Sequence, residues 1–327
     1  MKPRIRILDL VAGTLAGCLN RGAWMADGRR LVYLQDRAVW LITLDGQRTK
    51  LGDTGTLADP EVVAAPRGGL IALAGASGGR GRVTILTEGG TIVWTGTMPG
   101  EEVQLLPGGW SPDGARLLVW GGKKSLLIET STGTASILET GDAPRFAAAG
   151  DLISLRAGKS GPTVLERRPA AGAVTATAWK LPAGLTEPSA LFLTDDGTAA
   201  WWKGRRGDVE VTVLAGADGR LVFSNTRTLV AAGPDGRSYL TEDGGYALMS
   251  ADRPTLNLNP AYNALLRMDI NWQLADPRAA AEKYDAGELL KSAPAFSPDG
   301  TRAAILTPHL LCVVTIKTGE AVAIAKW

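Results

Sequence analysis

Trp110-Ser111-Pro112-Asp113-Gly114 runs directly into Ala115-Arg116-Leu117-Leu118-Val119-Trp120, and the pattern returns as Phe296-Ser297-Pro298-Asp299-Gly300 before Thr301-Arg302-Ala303-Ala304-Ile305-Leu306. Each copy reads as a strand, a tight turn and a second strand. Proline at the second turn position pre-sets φ near −65°, and glycine at the fourth accepts the positive φ that turns the chain back. The aliphatic run after the glycine has the make-up of a buried strand. Two copies of one hairpin signal predict a repeat architecture, so the remaining chain is read against that period.

With the turn glycine as register mark, the series is Gly28, Gly69, Gly114, Gly150, Gly197, Gly236 and Gly300. The intervals are 41, 45, 36, 47, 39 and 64 residues, and the first five average about 42. That length holds four short strands. A strand follows each mark (Arg30–Leu34, Leu70–Ala74, Arg116–Trp120, Leu152–Leu155, Ala199–Trp202, Arg237–Leu240, Arg302–Leu306), and no helical periodicity precedes residue 260. The fold class that follows is all-β: a seven-bladed β-propeller of four-stranded antiparallel blades, a closed ring that leaves only short, protected edges.

The last interval is too long for one repeat and too short for two. Residues 256–292 therefore read as an insertion before the last blade. It carries one short helix over Asp276–Lys291, with Pro277 near its first turn. At the other end, Ile5–Leu10 and Thr14–Leu19 read as strands ahead of the first turn. The expectation is that residues 4–10 pair with the last blade and close a single domain spanning residues 1–327. A piece of a longer repeat protein is the alternative.

The pattern Pro-x-Trp/Phe-Ser-Pro-Asp-Gly, a strand, then a Thr-Gly-type turn resembles the TolB-like, or WD40-like (PD40-type), β-propeller repeat. Pro294-Ala295-Phe296-Ser297-Pro298-Asp299-Gly300 matches it fully, and Pro107–Trp120 matches with one extra residue. The resemblance covers most of the chain outside residues 256–292. It implies the propeller fold and little about activity, because relatives of this repeat include scaffolds, peptidase propellers, sugar lyases and extracytoplasmic ends of kinases. The Trp-Asp dipeptide of true WD repeats is missing. The several histidines that propeller lyases use are missing as well, since this chain has one.

Composition narrows the partners. The 327 residues are 45% hydrophobic with 41 glycines, enough for a large strand-and-turn core. Lys+Arg number 35 against 33 Asp+Glu, and a net charge of +2 predicts no nucleic-acid partner. No run of about 18 apolar residues predicts membrane insertion, and no apolar h-region follows the basic N-terminus. The expectation from the sequence as it stands is a cytoplasmic protein, or a periplasmic or extracellular one if a signal or anchor precedes it. Cys18 and Cys312 cannot build a disulfide scaffold and read as buried thiols, their pairing left open.

Catalytic patterns are thin. Gly75-Ala76-Ser77-Gly78-Gly79 fits the Gly-x-Ser-x-Gly nucleophile pattern, but a strand follows it where the elbow needs a helix, so it reads as a hairpin loop. His309 lies in a Thr-Pro-His turn, and one histidine is poor material for a triad or a zinc site. Gly158-Lys159-Ser160 lacks the upstream glycine of a phosphate loop. The acidic pairs Asp195-Asp196, Glu242-Asp243 and Glu101-Glu102 lack calcium-loop spacing and read as solvated turns. No catalytic residue, cofactor or metal is predicted.

Ten tryptophans against four phenylalanines and five tyrosines is an unusual balance. Trp24, Trp40, Trp94, Trp110 and Trp120 read as packing between blades. Trp201-Trp202 differs: neighbours on a strand face opposite ways, so one reaches the next blade and the other lies nearer the surface. With Arg205 and Arg206 following, the group has the composition of a binding hot spot. The candidates for partner binding are therefore Trp201, Trp202, Arg205 and Arg206, with Tyr262 and Trp272 in the insertion. The function expected is a non-catalytic scaffold for a protein or peptide partner or a ligand, used at one end of the ring or at the insertion. The alternatives are a propeller enzyme, hydrolase or carbohydrate lyase, with a central-channel site, or the sensor domain of a larger membrane protein.

Overall fold

The computed structural model describes residues 21–98, 103–106, 108–121, 124–156, 163–226, 228–232, 238–242, 246–250, 253–257, 295–306, 310–318 and 320–326. These form antiparallel sheets, each built from consecutive strands. Sheet A is β1 (Gly22–Trp24), β2 (Arg30–Gln35), β3 (Ala38–Thr43) and β4 (Arg48–Asp53). Sheet B is β5 (Ala58–Ala64), β6 (Leu70–Ser77), β7 (Arg80–Thr87) and β8 (Ile92–Met98). Sheet C has three strands, β9 (Arg116–Gly121), β10 (Lys124–Glu129) and β11 (Thr134–Glu139). Sheet D is β12 (Asp142–Phe146), β13 (Leu152–Arg156), β14 (Thr163–Arg168) and β15 (Thr175–Trp179). Sheet E is β16 (Thr186–Leu193), β17 (Ala199–Arg206), β18 (Val209–Gly216) and β19 (Leu221–Asn225). Sheet F is β20 (Thr228–Ala232), β21 (Ser238–Glu242), β22 (Tyr246–Ser250) and β23 (Arg253–Asn257). Sheet G is β24 (Ala295–Phe296), β25 (Arg302–Leu306), β26 (Leu310–Thr315) and β27 (Ala321–Lys326).

Every strand expected after a turn glycine is present, starting within one residue of the expected position and running up to four residues further at its end. Two expectations change. The innermost place of sheet C is taken by a segment that, among the described residues, pairs with its neighbour at the bridges Gln104–Trp120 and Trp110–Leu117. Residues 256 and 257 belong to β23, so the expected insertion starts no earlier than residue 258. The rest of that insertion, with its helix, Tyr262 and Trp272, lies outside the described residues, as do the strand at 4–10, Cys18, Gly158-Lys159-Ser160 and His309. Cys312 is buried in β26.

The sheets stack face to face, and the pleat explains why their inner strands read as unbroken apolar runs. In β6, Ile71 and Leu73 join sheet A residues in one cluster, while Ala72 and Ala74 join sheet C residues in another. In β2, Val32 and Leu34 face sheet B, and Leu31 and Tyr33 face sheet G. Successive side chains point to opposite faces. With both faces covered, the central positions of these strands are apolar and charged or polar residues such as Arg30, Gln35 and Ser77 fall at their ends.

The repeated turn is held by a repeated set of bonds. The first turn residue donates its N–H to a carbonyl five residues on, as in Met25 to Arg30, Ser111 to Arg116, Thr194 to Ala199 and Ser297 to Arg302, at 2.8–2.9 Å. The fourth donates back to the first, as Gly114 N–H does to Ser111 O at 2.8 Å. Gly114 has φ +74°, and a Cβ there would lie 2.5 Å from Arg67 O in the turn of sheet B. The aspartate staples the turn: Asp299 Oδ1 accepts from Ser297 Oγ at 2.5 Å and from Thr301 N–H at 3.0 Å.

Those donors, Ser297 first and then Thr301, hold the Asp299 carboxyl down to about 2. Asp113 is lowered in the same way by Ser111 and the Ala115 N–H. A carboxyl whose folded pKa lies below its unfolded value adds stability above the unfolded pKa and loses it as pH falls towards the folded one. Asp299→Asn is therefore expected to melt below the wild type near neutral pH. The gap should close between about pH 4 and pH 2 as the wild-type carboxylate protonates. Thermal melts across that range check this; a gap constant with pH would contradict it.

Neighbouring sheets share a further device. The arginine two residues after the turn glycine reaches across: Arg116 Nη2 donates to Gly150 O at 2.6 Å, with its guanidinium 4.9 Å from the Phe146 ring centre. Arg302 does the same to Gly28 O at 2.6 Å, lying 4.8 Å from the Trp24 ring. The junction of the last sheet with the first thus repeats the junction of sheets C and D, and Trp24 Nε1 adds a bond to Ala295 O at 2.9 Å. Arg30 has no aromatic ring facing it in sheet B, where Ala64 stands instead, and it pairs with Glu88 at 2.8 Å.

Candidate functional site

The first strands of sheets A, B, D, E and G, with the irregular segment before sheet C, converge on one cavity of about 400 Å³. The repeat decides which residues line it. Two positions before each turn stand Ala23, Val63, Gly109, Arg145, Phe192 and Ala295, and each of them faces the cavity. At the second turn position stand Ala26, Pro66, Pro112, Ala148, Asp195 and Pro298, and these form its rim. The corresponding position in sheet F, residue 234, lies outside the described residues.

The lining is aliphatic, aromatic and backbone, with two exceptions. Arg145 is 6% exposed, and its Nη1 donates to Leu193 O in sheet E at 2.7 Å, with Nε donating to Phe146 O at 3.3 Å. Its guanidinium lies so close to Gly108 that a Cβ on that glycine would meet Nε at 2.9 Å. The Phe146 N–H also donates to Gly108 O at 2.8 Å. On the other side, the Leu105 N–H donates to the buried Glu61 carboxylate at 2.7 Å. The irregular inner segment of sheet C is therefore bonded from both neighbouring sheets, by the Glu61 side chain of sheet B and the Phe146 backbone N–H of sheet D. This supplies partners for backbone groups that a regular strand would have satisfied.

Asp195 is the second exception. Its partner in sequence, Asp196, does the stapling: Oδ1 accepts from Thr194 Oγ1 at 2.6 Å and from Thr198 N–H at 2.9 Å. Asp195 is half-buried on the rim, and its carbonyl accepts the Ala148 N–H at 2.8 Å. The acidic pair that read as one solvated turn is split between two roles. Aligning the repeats at the second turn position is the signal that separates them, since only Asp195 is charged among the described rim residues.

The residues expected to bind a partner are not brought together. Trp201 is 0% exposed and Trp202 is 3% exposed. The two point to opposite faces as expected, but both faces are covered. Trp202 packs among residues of sheets D and E, and Trp201 stacks on Phe192 at 6.3 Å and meets Phe223 edge-on at 6.2 Å. Neither offers surface to a partner. Arg205 and Arg206 end β17, at the far end of sheet E from the chamber rim, where Arg205 Nη2 donates to Asp208 O at 2.9 Å. Ser77 ends β6 beside a Gly78-Gly79 hairpin turn with both glycines at positive φ, and its hydroxyl meets that of Thr56 at 2.8 Å.

Neither a protein-family model nor a curated protein matches this sequence. Solved structures do match in shape. An oligogalacturonate lyase solved with manganese aligns over 93% of this chain and 89% of its own, at TM-score 0.55 and 13% identity. The β-propeller domain of the Trilobed protease from Pyrococcus furiosus covers 91% of this chain and 93% of its own, at TM-score 0.54 and 10% identity. Hsv2 from Kluyveromyces lactis covers 91% and 93%, at TM-score 0.52 and 11% identity. Identities this low speak to fold alone.

Proposed function

This chain is a β-propeller, and on that footing we propose that it is a seven-bladed, non-catalytic binding module whose working site is the axial chamber at the Ser-Pro-Asp-Gly end of the ring, taking part of a protein or peptide partner. One observation carries the reading: a concave, largely apolar chamber of about 400 Å³ forms where the inner strands converge. Binding sites have this character, with volumes of roughly 300–1,000 Å³ and a few placed polar groups. The turns that rim the chamber come from separate repeats, so a partner touching several of them would read the differences between repeats.

Ala26, exposed on the rim, gives the test. Ala26→Trp should keep the wild-type melting temperature and lose any protein that wild type retains in a pull-down. Equal retention by both would overturn the proposal.

The second reading is a propeller enzyme acting in the same chamber, favoured by the placement of a carboxylate, Asp195, at the mouth of a largely apolar cleft. The lyase neighbour was solved with manganese. Among the described residues here, no group of three or more His, Cys, Asp or Glu is placed to hold a metal ion, and no metal-dependent step is assigned. Turnover of an oligogalacturonate or peptide panel by the purified chain, abolished by Ala26→Trp, would decide for this reading.

A further inference from the structure

We propose that the chamber takes the side chain of a lysine or arginine from the partner, its aliphatic stem among the apolar lining and its cation on the Asp195 carboxylate. This rests on the reading of the chamber as a partner-binding site and adds to it the chemistry of the group bound.

The case begins with what Asp195 does not do for the fold. In the other described turns its position holds alanine or proline, so the turn needs no carboxylate there. The stapling role belongs to Asp196, which takes the Thr194 hydroxyl and the Thr198 N–H and hydroxyl. Among the described residues, the Asp195 carboxylate has no hydrogen bond and no ion pair; only its backbone carbonyl is engaged. A proline at this position would pre-set the turn, and here a charge stands in its place.

The second part is the surroundings. A carboxylate on the rim of an apolar cleft has low-dielectric walls beside it, which focus its field on an incoming cation. Trp24, Trp110, Phe146, Phe192 and Phe296 all contribute to the lining. Aromatic rings tolerate a nearby cation and receive an alkyl stem well. Arg145, the other charged side chain of the lining, is turned to the Leu193 and Phe146 carbonyls and makes no ion pair with Asp195. Long cationic side chains bury their stems while keeping the head at a polar site. This chamber offers that arrangement, with an apolar interior and an acidic mouth.

The test uses blocked pentapeptides of the form acetyl-Ala-Ala-X-Ala-Ala-amide, where X is lysine, arginine, norleucine or glutamate, and n-butylamine as the free amine. Each is titrated by calorimetry into wild type, Asp195→Asn, Asp195→Pro and Ala26→Trp. The expected result is saturable binding of the lysine and arginine peptides to wild type. Norleucine should bind at least about tenfold more weakly, equivalent to about 1.4 kcal/mol. Asp195→Asn and Asp195→Pro should both erase the preference while melting like wild type. Norleucine binding as well as lysine, or a lysine preference that survives in both Asp195 variants, would overturn the cation reading. Peptide binding still blocked by Ala26→Trp in that case would leave the chamber reading standing. Butylamine binding as tightly as the lysine peptide would replace a partner's side chain with a free amine as the ligand. Failure of every peptide to bind would overturn the proposal.

Discussion

Arg145→Met should lower stability by about 2–4 kcal/mol, a drop of roughly 3–6 °C in melting temperature for a chain of this size. The arginine is buried and its Nη1 makes a charge-assisted bond to Leu193 O across the junction of sheets D and E. Methionine has nearly the same length and fills the space, but it leaves that carbonyl without its charged donor. A hydrogen bond involving a charged group contributes about 1.5–3 kcal/mol, and a buried acceptor left without its donor adds a desolvation cost of similar size. The guanidinium also lies against Gly108, so the inner segment of sheet C should loosen with it. Arg145→Lys, a point donor without the planar fork, should fall between the two. Melting curves for the three proteins check the order. A methionine variant as stable as wild type would mean that the guanidinium does not hold the sheets together.

Trp201→Ala should be more damaging, at about 3–5 kcal/mol. The indole is fully buried and packs with Phe192, Leu191, Ala199 and Leu214, and it stacks on one phenylalanine and meets another edge-on. Truncation leaves a cavity that a stacked sheet closes poorly, and it removes aromatic pairs worth about 0.5–1.5 kcal/mol each beyond their burial. Trp201→Phe should recover most of the loss. Denaturant unfolding measures both. A Trp201→Ala protein of near wild-type stability that had lost only partner binding would restore the surface role suggested by the sequence.

The contrast between Trp201 and Asp195 shows where legibility stopped. Burial of Trp201-Trp202 turned on a covered outer face, and the alternation rule says only that the two rings diverge. Coverage of both faces depends on a neighbouring sheet tens of residues away. Asp195-Asp196 failed differently. The pair was visible, but the two positions are told apart only when the turn is superposed on its repeats. Arg145 had no local signal: it is one arginine in a strand whose equivalents are small or apolar. The irregular start of sheet C was equally hidden, because the Glu61 carboxylate and the Phe146 N–H hold it from neighbouring sheets.

The sequence by itself determined the all-β class, the repeat of about 42 residues and the placing of the strands, because turn chemistry is local. Proline, aspartate and glycine act within a few bonds of their own positions, and a strand buried on both faces declares itself by an apolar run. Only the tertiary structure decided which inner residues meet at the axis, that a chamber forms there, and that Arg145 and Asp195 are its polar groups. Convergence is a property of how separate repeats pack, set by arginine and aromatic contacts between sheets. One strand's sequence carries no record of what faces it across a chamber.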